Sequence, residues 1–581
     1  MSTDVDQQVV GHTDGPVDPP SAGPADTDRR PTPKVFRLSL STTGLAVAAL
    51  FFAISLLPSL LPRAGYVQGV ASGITLMIGY GLGAAGQSLW EYLQIPKLSG
   101  RARTIVLAVI WVLLAWMVLG GVWRQVGWQN DIRLRFGMEP MSPTAWPVII
   151  VVAALVAVLI LIVARSLRRL FAGVGWWLSR RLPHRLAVVL GSIALLLVIW
   201  LLLTGVLVKG FFAGANAMFS SRDTNTTVGV VQTQSALRSG GPQSLVAWDQ
   251  LGRQGRSFVS TGPTPEQINK FSGGGAVEPI RAYVGLKSAP TLQERANLLL
   301  DELKRTGAFN RKTLVLTTTT GTGFLDPNGV DPVEYIYNGN TAIAGVQYSY
   351  LPSWISLLAD QDAVKQTSRV VFDTVHGYWA TLPEATRPQF YLYGLSLGSF
   401  GVESVLSSVE ILNQPINGAF MSGPPFVNPL HASLVAGRDP GSSSSLPVVD
   451  DGRTVHFTSE QGGWEQTSVQ WGPTRLVYLQ HGSDPVVFFS PDLAFTPPEW
   501  LQDGQRAPDV SPTMGWFPLV TLWQVALDLP GAGGVPDGYG HMYSKQANLR
   551  GWVAVTNPPG WSAAKTEALL KVWESQPTTT E

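Results

Sequence analysis

Residues Gly394, Ser396 and Gly398 fit the pattern G-x-S-x-G, within the stretch YLYGLSLGSFG. In this pattern the serine lies at a sharp turn between a strand and a helix, where its hydroxyl is exposed for attack on a carbonyl carbon. The chemistry of such a serine is acyl transfer through a covalent acyl-enzyme. A chain this rich in glycine and serine has about even odds of one chance match, so the pattern needs support from its context.

The stretches on both sides of Ser396 support this interpretation. QFYLYG, which precedes it, is apolar and strand-like, and VESVLSSVEIL, which follows, has helical spacing. A helix that begins at the serine directs its N-terminal dipole toward negative charge that develops on a substrate. The alternative is that Ser396 only caps a helix after a buried strand. The positions of the other catalytic groups must separate these two interpretations.

The first of these groups is a base, because a serine hydroxyl is a weak nucleophile until its proton is removed. After a serine in such a turn, the acid and then the histidine follow along the chain. His431 precedes the last convincing strands, His456 lies in a polar excursion, and His481 ends a strand, which suits a structural or pocket residue. His541, in DGYGHMYS, lies in a glycine-rich loop before the C-terminal helical stretch. It is therefore the predicted base.

The acid that orients the histidine is predicted to be Asp484. It follows an apolar strand by a few residues, in LVYLQHGSDPVV, so its carboxylate can reach the histidine loop across the sheet edge. Three later aspartates lie in a long loop without a strand to orient them. Asp537 is only four residues from His541 and is a better turn former. Ser396, Asp484 and His541 thus agree in order, spacing and local structure.

On the motifs GLSLG, HGSDPVV and GYGHMYS, the segment from about Val277 to the C-terminus resembles the α/β-hydrolase superfamily. The whole chain resembles a bacterial membrane-anchored family that joins a hydrophobic N-terminal domain to such a catalytic domain. The resemblance implies a triad of Ser396, Asp484 and His541, an enzyme of the carboxylic-ester hydrolase type, and a reaction that needs no cofactor and no metal.

The oxyanion hole departs from the superfamily pattern. An H-G-G-G motif is absent after the early strand, and TTTTGTGF, residues Thr317 to Phe324, stands in its place. Because backbone N–H groups form an oxyanion hole, Gly321 or Thr322 is expected to donate together with Leu397. The sequence leaves open which of the first two residues donates.

The region around these motifs alternates between strands and helices. IRAYVGL, KTLVLTTTTGTG, QFYLYG, INGAFMS and RLVYLQHG read as strands, with helical stretches such as LQERANLLLDELKR between them. This alternation predicts a mostly parallel sheet with right-handed crossovers over residues 277–581. Residues 211–276 are polar, rich in turns and interpreted as a connector.

The first third of the chain predicts a helical transmembrane domain, residues 37–210, with about five spans. These are Gly44–Pro62, Gly65–Gly86, Thr104–Trp123, Trp146–Ala164 and Ala187–Val208. The second has glycines at positions 69, 73, 79 and 83, a spacing that suits close helix contact. No Asp, Glu, Lys, Arg or His lies inside the five spans, which argues against transport.

Lysine and arginine in the short loops predict the orientation in the cell membrane. The tail before the first span and the loops after the second and the fourth are basic, so they are expected on the cytoplasmic side. The loop after the third span disagrees mildly, because it has Arg124, Arg133 and Arg135, although Asp131 and Glu139 lie in the same loop. Five spans then place the C-terminal domain on the extracytoplasmic side, whereas four spans would make it cytoplasmic.

The amino-acid composition excludes several other classes of function. The formal net charge is +1, without a long basic block, so nucleic acid is not an expected partner. The chain has no cysteine, which removes disulfides and thiolate chemistry. Residues 1–36 are poor in large apolar residues and are predicted to be disordered.

Together these features predict a membrane-anchored serine hydrolase, esterase- or lipase-like, whose partner is the bilayer and whose substrate is a lipid or envelope-linked ester. An acyltransferase with the same triad, or a non-catalytic scaffold or transport-associated protein, are the alternatives. The aromatic excursion around Trp500, Trp516 and Trp523 is expected to line an acyl pocket, to face the bilayer or to pack over the sheet. Residues 422–471 are a candidate lid.

Overall fold

A computed structural model describes residues 40–142, 144, 146–202, 205, 208–464 and 469–574. The predicted disordered tail, residues 1–36, lies outside the described residues. We call residues 40–210 the helical domain and residues 277–574 the C-terminal domain.

The helical domain and the segment after it contain six described helices. They are α1 Thr42–Ser55, α2 Gly65–Tyr92, α3 Gly100–Arg135, α4 Trp146–Leu178, α5 His184–Leu201 and α6 Val208–Asp223. Three of these, α2, α3 and α4, are long and apolar enough to cross a membrane. With 14 residues, α1 is about 21 Å long, less than the roughly 30 Å of a hydrocarbon core. On length and composition, three of the five predicted spans are therefore met. The first is shorter than predicted, and part of the fifth, Ala187–Val208, lies outside the described residues.

Apolar side chains project outward from the long helices. Trp116, Leu119 and Trp123 on α3 are 74%, 70% and 87% exposed, and Leu155 on α4 is 65% exposed. In water such surfaces carry a large hydrophobic cost, whereas in lipid they do not. The helices thus indicate association with a membrane.

The glycines of α2 are close-contact positions, as their spacing predicts. A Cβ on Gly69 would lie 2.6 Å from the Cβ of Val152 on α4, and a Cβ on Gly79 would lie 2.8 Å from the Cγ of Phe51 on α1. The missing side chains let α2 approach both neighbouring helices through backbone contacts.

The C-terminal domain is built on a seven-stranded sheet in the order β1-β3-β2-β4-β5-β7-β6, with every neighbouring pair parallel. The strands are β1 Ile280–Val284, β2 Thr313–Thr318, β3 Thr341–Val346, β4 Gln389–Leu395, β5 Gly418–Ser422, β6 Val455–Thr458 and β7 Arg475–Leu479. Because the strands run parallel, their carboxyl ends meet at one edge of the sheet. The predicted mostly parallel α/β domain is thus confirmed.

Two of the seven strands were not predicted. TAIAGV, which forms β3, has alanine or glycine at three of its six positions, and these residues have low strand propensity. VHFT, which forms β6, is only four residues long and lies inside the stretch expected to be a lid. The lid prediction is therefore wrong for this part of residues 422–471, which extends the sheet beside β7.

The described helices of the C-terminal domain are α9 Leu292–Arg305, α10 Pro327–Ile336, α11 Ser353–Ala359, α12 Gln361–Ala380, α13 Leu397–Leu406, α14 Val409–Asn413, α15 Pro429–Ala436, α16 Pro485–Phe488, α17 Val520–Asp528, α18 Lys545–Thr556 and α19 Ala563–Glu574. Of these, α9, α10, α12, α13 and α18 pack directly against strands of the sheet. In α9, for example, Thr291 and Glu294 form a capping box, and Leu299 and Leu303 are buried in the core. Burial of such leucine faces against the strands is the main stabilising contribution of this layer.

The segment predicted to be a connector is folded against the edge of the sheet. It contains α7 Gly252–Ser260 and α8 Pro265–Ser272, and Arg238 forms an isolated bridge with Arg281 of β1. Arg281 is buried and pairs with Asp331 and Glu334, at 2.7 Å from each carboxylate. The boundaries 211–276 stay a prediction.

The two domains meet at a buried junction. Leu60 and Leu61, after α1, together with Ile132 and Phe136, at the end of α3, pack into one apolar cluster with residues of the 485–540 segment such as Trp500. Phe136 stacks on Tyr539 with 4.4 Å between ring centroids. The aromatic excursion therefore packs partly against the helical domain, which the sequence did not predict.

Candidate active site

Ser396 lies in the turn between β4 and α13 with φ 53° and ψ −127°. A non-glycine residue at positive φ is strained by about 1–3 kcal/mol, and such strain is concentrated at functional sites. The backbone N–H of Ser396 donates to the carbonyl of Ser422 at the end of β5, at 2.8 Å. A Cβ on Gly394 would collide with the backbone of Gly398, and one on Gly398 would collide with the carbonyl of Thr318. The G-x-S-x-G sequence thus forms the strained turn that its pattern predicts.

Asp484 and His541 are in direct contact. The carboxylate Oδ2 lies 2.6 Å from Nδ1 of the imidazole. Asp484 follows β7 and caps α16, where the N–H of Val486 donates to its Oδ1 at 2.8 Å. Because a carboxylate only accepts hydrogen bonds, Nδ1 carries the proton of the neutral ring, and Nε2 is left as the acceptor.

The ring of His541 lies beside the turn that carries Ser396. A Cβ on Gly423 would be 2.6 Å from Cε1 of His541, and Gly423 directly follows Ser422, the acceptor of the Ser396 N–H. Nε2 of His541 is buried and has no hydrogen-bond partner among the described residues. The bond between Ser396 Oγ and this nitrogen is thus not formed. Such bonds are often long in unliganded enzymes and shorten when substrate binds.

The predicted oxyanion residues lie next to the same turn. Thr318, the last residue of β2, is paired in register with Gly394. Beyond it, Thr320 and Phe324 form a bridge, and Gly321 has φ +39°. A glycine at this position tolerates the left-handed conformation that bends the loop.

The backbone hydrogen bonds described for the turns and loops include none in which the N–H of Leu397, Gly321 or Thr322 is the donor. The side-chain amide of Gln347 donates to the carbonyl of Thr322 at 3.0 Å and thereby holds the loop. The buried hydroxyl of Tyr348 lies beside the Gly321 backbone without a hydrogen bond of normal geometry. Gly321 and Thr322 both remain candidates for the second donor.

Tyr543 is a site residue that the sequence analysis missed. Its hydroxyl donates to Oδ2 of Asp484 at 2.7 Å, so this oxygen accepts from both Tyr543 and His541. Burial, together with the negative charge of Asp484, raises the pKa of Tyr543, which therefore stays a donor. In the sequence, only its position two residues after His541 offered a signal.

His481 packs against the loop that contains His541. It is fully buried, its Nδ1 lies 2.9 Å from the carbonyl of Gly540, and it stacks on Tyr543 at 4.3 Å. Burial alone lowers its pKa, but Glu460, 3.7 Å from Nε2, together with Asp509 and the Gly540 carbonyl, more than offsets this effect, so the pKa of His481 is raised. Its structural role agrees with the sequence interpretation.

The two other histidines after Ser396 have partners elsewhere. Nε2 of His431 lies 2.7 Å from Gln480 Oε1, and Nε2 of His456 lies 2.9 Å from the Gly452 carbonyl. Burial lowers the pKa of each to about 4. No group of three His, Asp or Glu residues that could hold a metal ion occurs within the described ranges.

A parallel α/β sheet with a strained serine turn and an Asp–His pair at its carboxyl edge is the arrangement of a hydrolase-type fold. Comparison with family models agrees: an α/β-hydrolase family model matches residues 280–569, and a model for the N-terminus of such a family matches residues 56–263. The chain belongs to this α/β-hydrolase family. No curated protein and no solved structure gives a significant match.

Proposed function

We propose that the protein is a membrane-anchored serine hydrolase that cleaves a lipid or envelope-linked carboxylic ester through an acyl-enzyme. The observation that carries the proposal is the 2.6 Å contact between Asp484 and His541, with the ring packed against Gly423 beside the strained Ser396. A strained serine, an unpartnered imidazole nitrogen and a buried carboxylate at one sheet edge are the groups that nucleophilic acyl transfer requires.

In the first half-reaction, Ser396 Oγ attacks the carbonyl carbon of the ester while Nε2 of His541 accepts the hydroxyl proton. The tetrahedral intermediate then collapses, the bond between the carbonyl carbon and the alcohol oxygen breaks, and the leaving alkoxide takes the proton from Nε2. In the second half-reaction, a water molecule gives a proton to Nε2 and attacks the acyl carbon, and Ser396 regains its proton as the acid is released.

Asp484 and the backbone donors have supporting roles in this mechanism. Asp484 fixes the imidazole tautomer and stabilises the imidazolium that forms in each half-reaction. The N–H groups of Leu397 and of Gly321 or Thr322 are the donors for the oxyanion, and one such donor typically contributes about 3 kcal/mol to transition-state stabilisation.

The junction between the domains supports an extracytoplasmic site. Arg63, after α1, and Phe136, after α3, both contact the C-terminal domain, so these two loops and that domain share one side of a membrane. Arg101, at the start of α3, and Arg168, in the C-terminal half of α4, lie toward the opposite ends of these helices. Segments rich in lysine and arginine usually stay on the cytoplasmic side of a membrane. In this proposal the C-terminal domain is therefore extracytoplasmic, and both α4 and α5 cross the bilayer.

A fluorophosphonate probe tests the proposal, because it forms a phosphonyl ester with an activated serine and releases fluoride. We expect the wild type and the exposed-serine control Ser407→Ala to be labelled, and Ser396→Ala and His541→Ala to remain unlabelled. A wild type that takes no label, although its circular dichroism shows a folded protein, would point instead to a non-catalytic membrane scaffold.

A further inference from the structure

A cavity of about 980 Å³ lies in the helical domain between α3 and α4. It exists because α3 packs mainly on α1, and α4 mainly on α2 and α5, so that α3 and α4 have few contacts with each other. Phe52, Leu76, Val122 and Ile150 are typical of its lining, and Asn130 is the single residue among those lining it with a polar amide. The volume is at the upper end of the roughly 300–1,000 Å³ of ligand sites.

The cavity has the length and the depth of one acyl chain. Its lining on α3 extends from Val118 to Asn130, which is about 18 Å at 1.5 Å per residue. One leaflet of a bilayer has a hydrocarbon depth of about 15 Å, half of the full core. Trp146, which begins α4, and Asn130 mark the end nearer the C-terminal domain, where aromatic and polar side chains suit the membrane surface.

The same end of the cavity is continuous with the junction between the domains. Phe136 is six residues beyond Asn130 on the same chain segment, about 9 Å along the axis, and stacks on Tyr539. From the loop after α1, Leu61 Cδ2 lies 3.2 Å from the position of a Cβ on Gly540. Tyr539 and Gly540 immediately precede His541. Apolar contacts thus lead from the cavity to the histidine loop.

We propose that this cavity holds one acyl chain of an ester lipid while the carbonyl carbon of that lipid is presented to Ser396. The inference rests on the proposed function and adds a substrate class to it, namely long-chain acyl esters drawn from the bilayer. A soluble ligand would require several convergent polar groups, whereas this lining is apolar and lies between helices that are exposed to lipid.

A pair of glycines on α3 gives a matched test. Gly127 lines the cavity, and a Cβ there meets nothing within 4 Å. Gly120 is two turns away on the same helix, is equally unobstructed and does not line the cavity. The phenylalanine of Gly127→Phe is therefore expected to fill the space that the acyl chain would occupy. Gly120→Phe is the control for the effect of a phenylalanine on α3 outside the cavity.

The measurement is the rate at which full-length protein in nanodiscs reacts with two alkyl fluorophosphonates, one with a short chain and one with a long chain. We expect Gly127→Phe to slow long-chain labelling by about ten-fold or more, because a few buried methylene groups lose their site, and to leave short-chain labelling unchanged. Gly120→Phe is expected to react like the wild type. If Gly127→Phe is folded and slows labelling by both probes equally, or by neither, the inference is wrong.

A second measurement needs no variant. A long-chain fluorophosphonate with a diazirine at the end of its chain is attached to Ser396 of the wild type and then photolysed. We expect crosslinks on α3 within residues 118–130 or on α4 within residues 146–154, and crosslinks confined to the C-terminal domain overturn the inference. If the wild type is labelled at Ser396 but the long chain does not crosslink to α3 or α4, only the acyl site is refuted. If the wild type reacts with neither probe, both the serine hydrolase and the acyl site are refuted.

Discussion

Arg63 and Asp528 form an ion pair across the junction of the two domains, with 2.7 Å between Nε and Oδ1. The side chains are 2% and 0% exposed. Ser59 donates to the other carboxylate oxygen of Asp528, and Arg63 also donates to the Gln524 carbonyl. A charge buried this deeply depends on its partner, since neither side chain can turn to water.

Removal of either partner alone is therefore expected to destabilise the protein more than removal of both. Arg63→Ala or Asp528→Ala leaves one uncompensated buried charge, which costs about 3–5 kcal/mol, whereas the double variant leaves none. Thermal unfolding of the purified protein in detergent measures the effect. If the double variant instead loses as much stability as the two single variants combined, the two side chains do not stabilise each other.

Loss of the Tyr543 hydroxyl is expected to lower turnover without weakening substrate binding. Tyr543→Phe removes a donor to the Asp484 oxygen that also orients His541, and a hydrogen bond to a charged group contributes about 1.5–3 kcal/mol. We expect kcat for a short-chain ester to fall about ten-fold or more, with KM unchanged.

The matched control is Tyr337→Phe, because Tyr337 donates to Gln389 at the opposite end of β4. That variant is expected to keep the wild-type kcat. If Tyr543→Phe instead raises KM and leaves kcat unchanged, then Tyr543 acts on substrate binding and not on the orientation of the histidine.

Asp326 should make stability dependent on pH. Burial raises the pKa of this carboxyl group, which caps α10, to about 7. An unfolded aspartate has a pKa near 3.9, so between about pH 4 and 7 the folded protein holds a proton that the unfolded chain releases. The contribution of Asp326 to the free energy of unfolding is therefore most favourable near pH 4 and decreases as the pH rises to about 7.

Asp326→Asn removes this contribution and keeps a residue that caps helices well. We expect the unfolding temperature of the variant to exceed that of the wild type at pH 8, and the difference to shrink toward pH 4. Asp492→Asn, at an exposed aspartate, is the control. A difference that is constant across the pH range would contradict a raised pKa of Asp326.

The absence of cysteine allows a direct test of topology, because each introduced thiol is the only one in the chain. Ser99→Cys lies in the loop after α2, and Ser407→Cys lies at the end of α13 in the C-terminal domain. We expect a membrane-impermeant maleimide to label Ser407→Cys in intact cells, and to label Ser99→Cys only after permeabilisation. The opposite pattern would place the C-terminal domain in the cytoplasm.

Local patterns were sufficient for much of the C-terminal domain. Strands such as β2 and β4 are apolar runs bounded by glycine or polar residues, and Ser396 is defined by backbone crowding that requires Gly394 and Gly398. Short or small-residue strands such as β3 and β6 were missed, since their strand conformation comes from pairing with neighbours and not from their own propensity.

The sequence by itself therefore determined the parallel α/β architecture, the apolar helices and the serine turn, because each depends on residues close together along the chain. Only the tertiary structure decided that His541 contacts Asp484, that Tyr543 shares this carboxylate, and that Phe136 packs on the histidine loop. These contacts join residues 57 to 403 positions apart. Chain order and local structure predicted Asp484 as the partner of His541 without its geometry, whereas the contacts of Tyr543 and Phe136 depend on how whole elements pack and follow from no local motif.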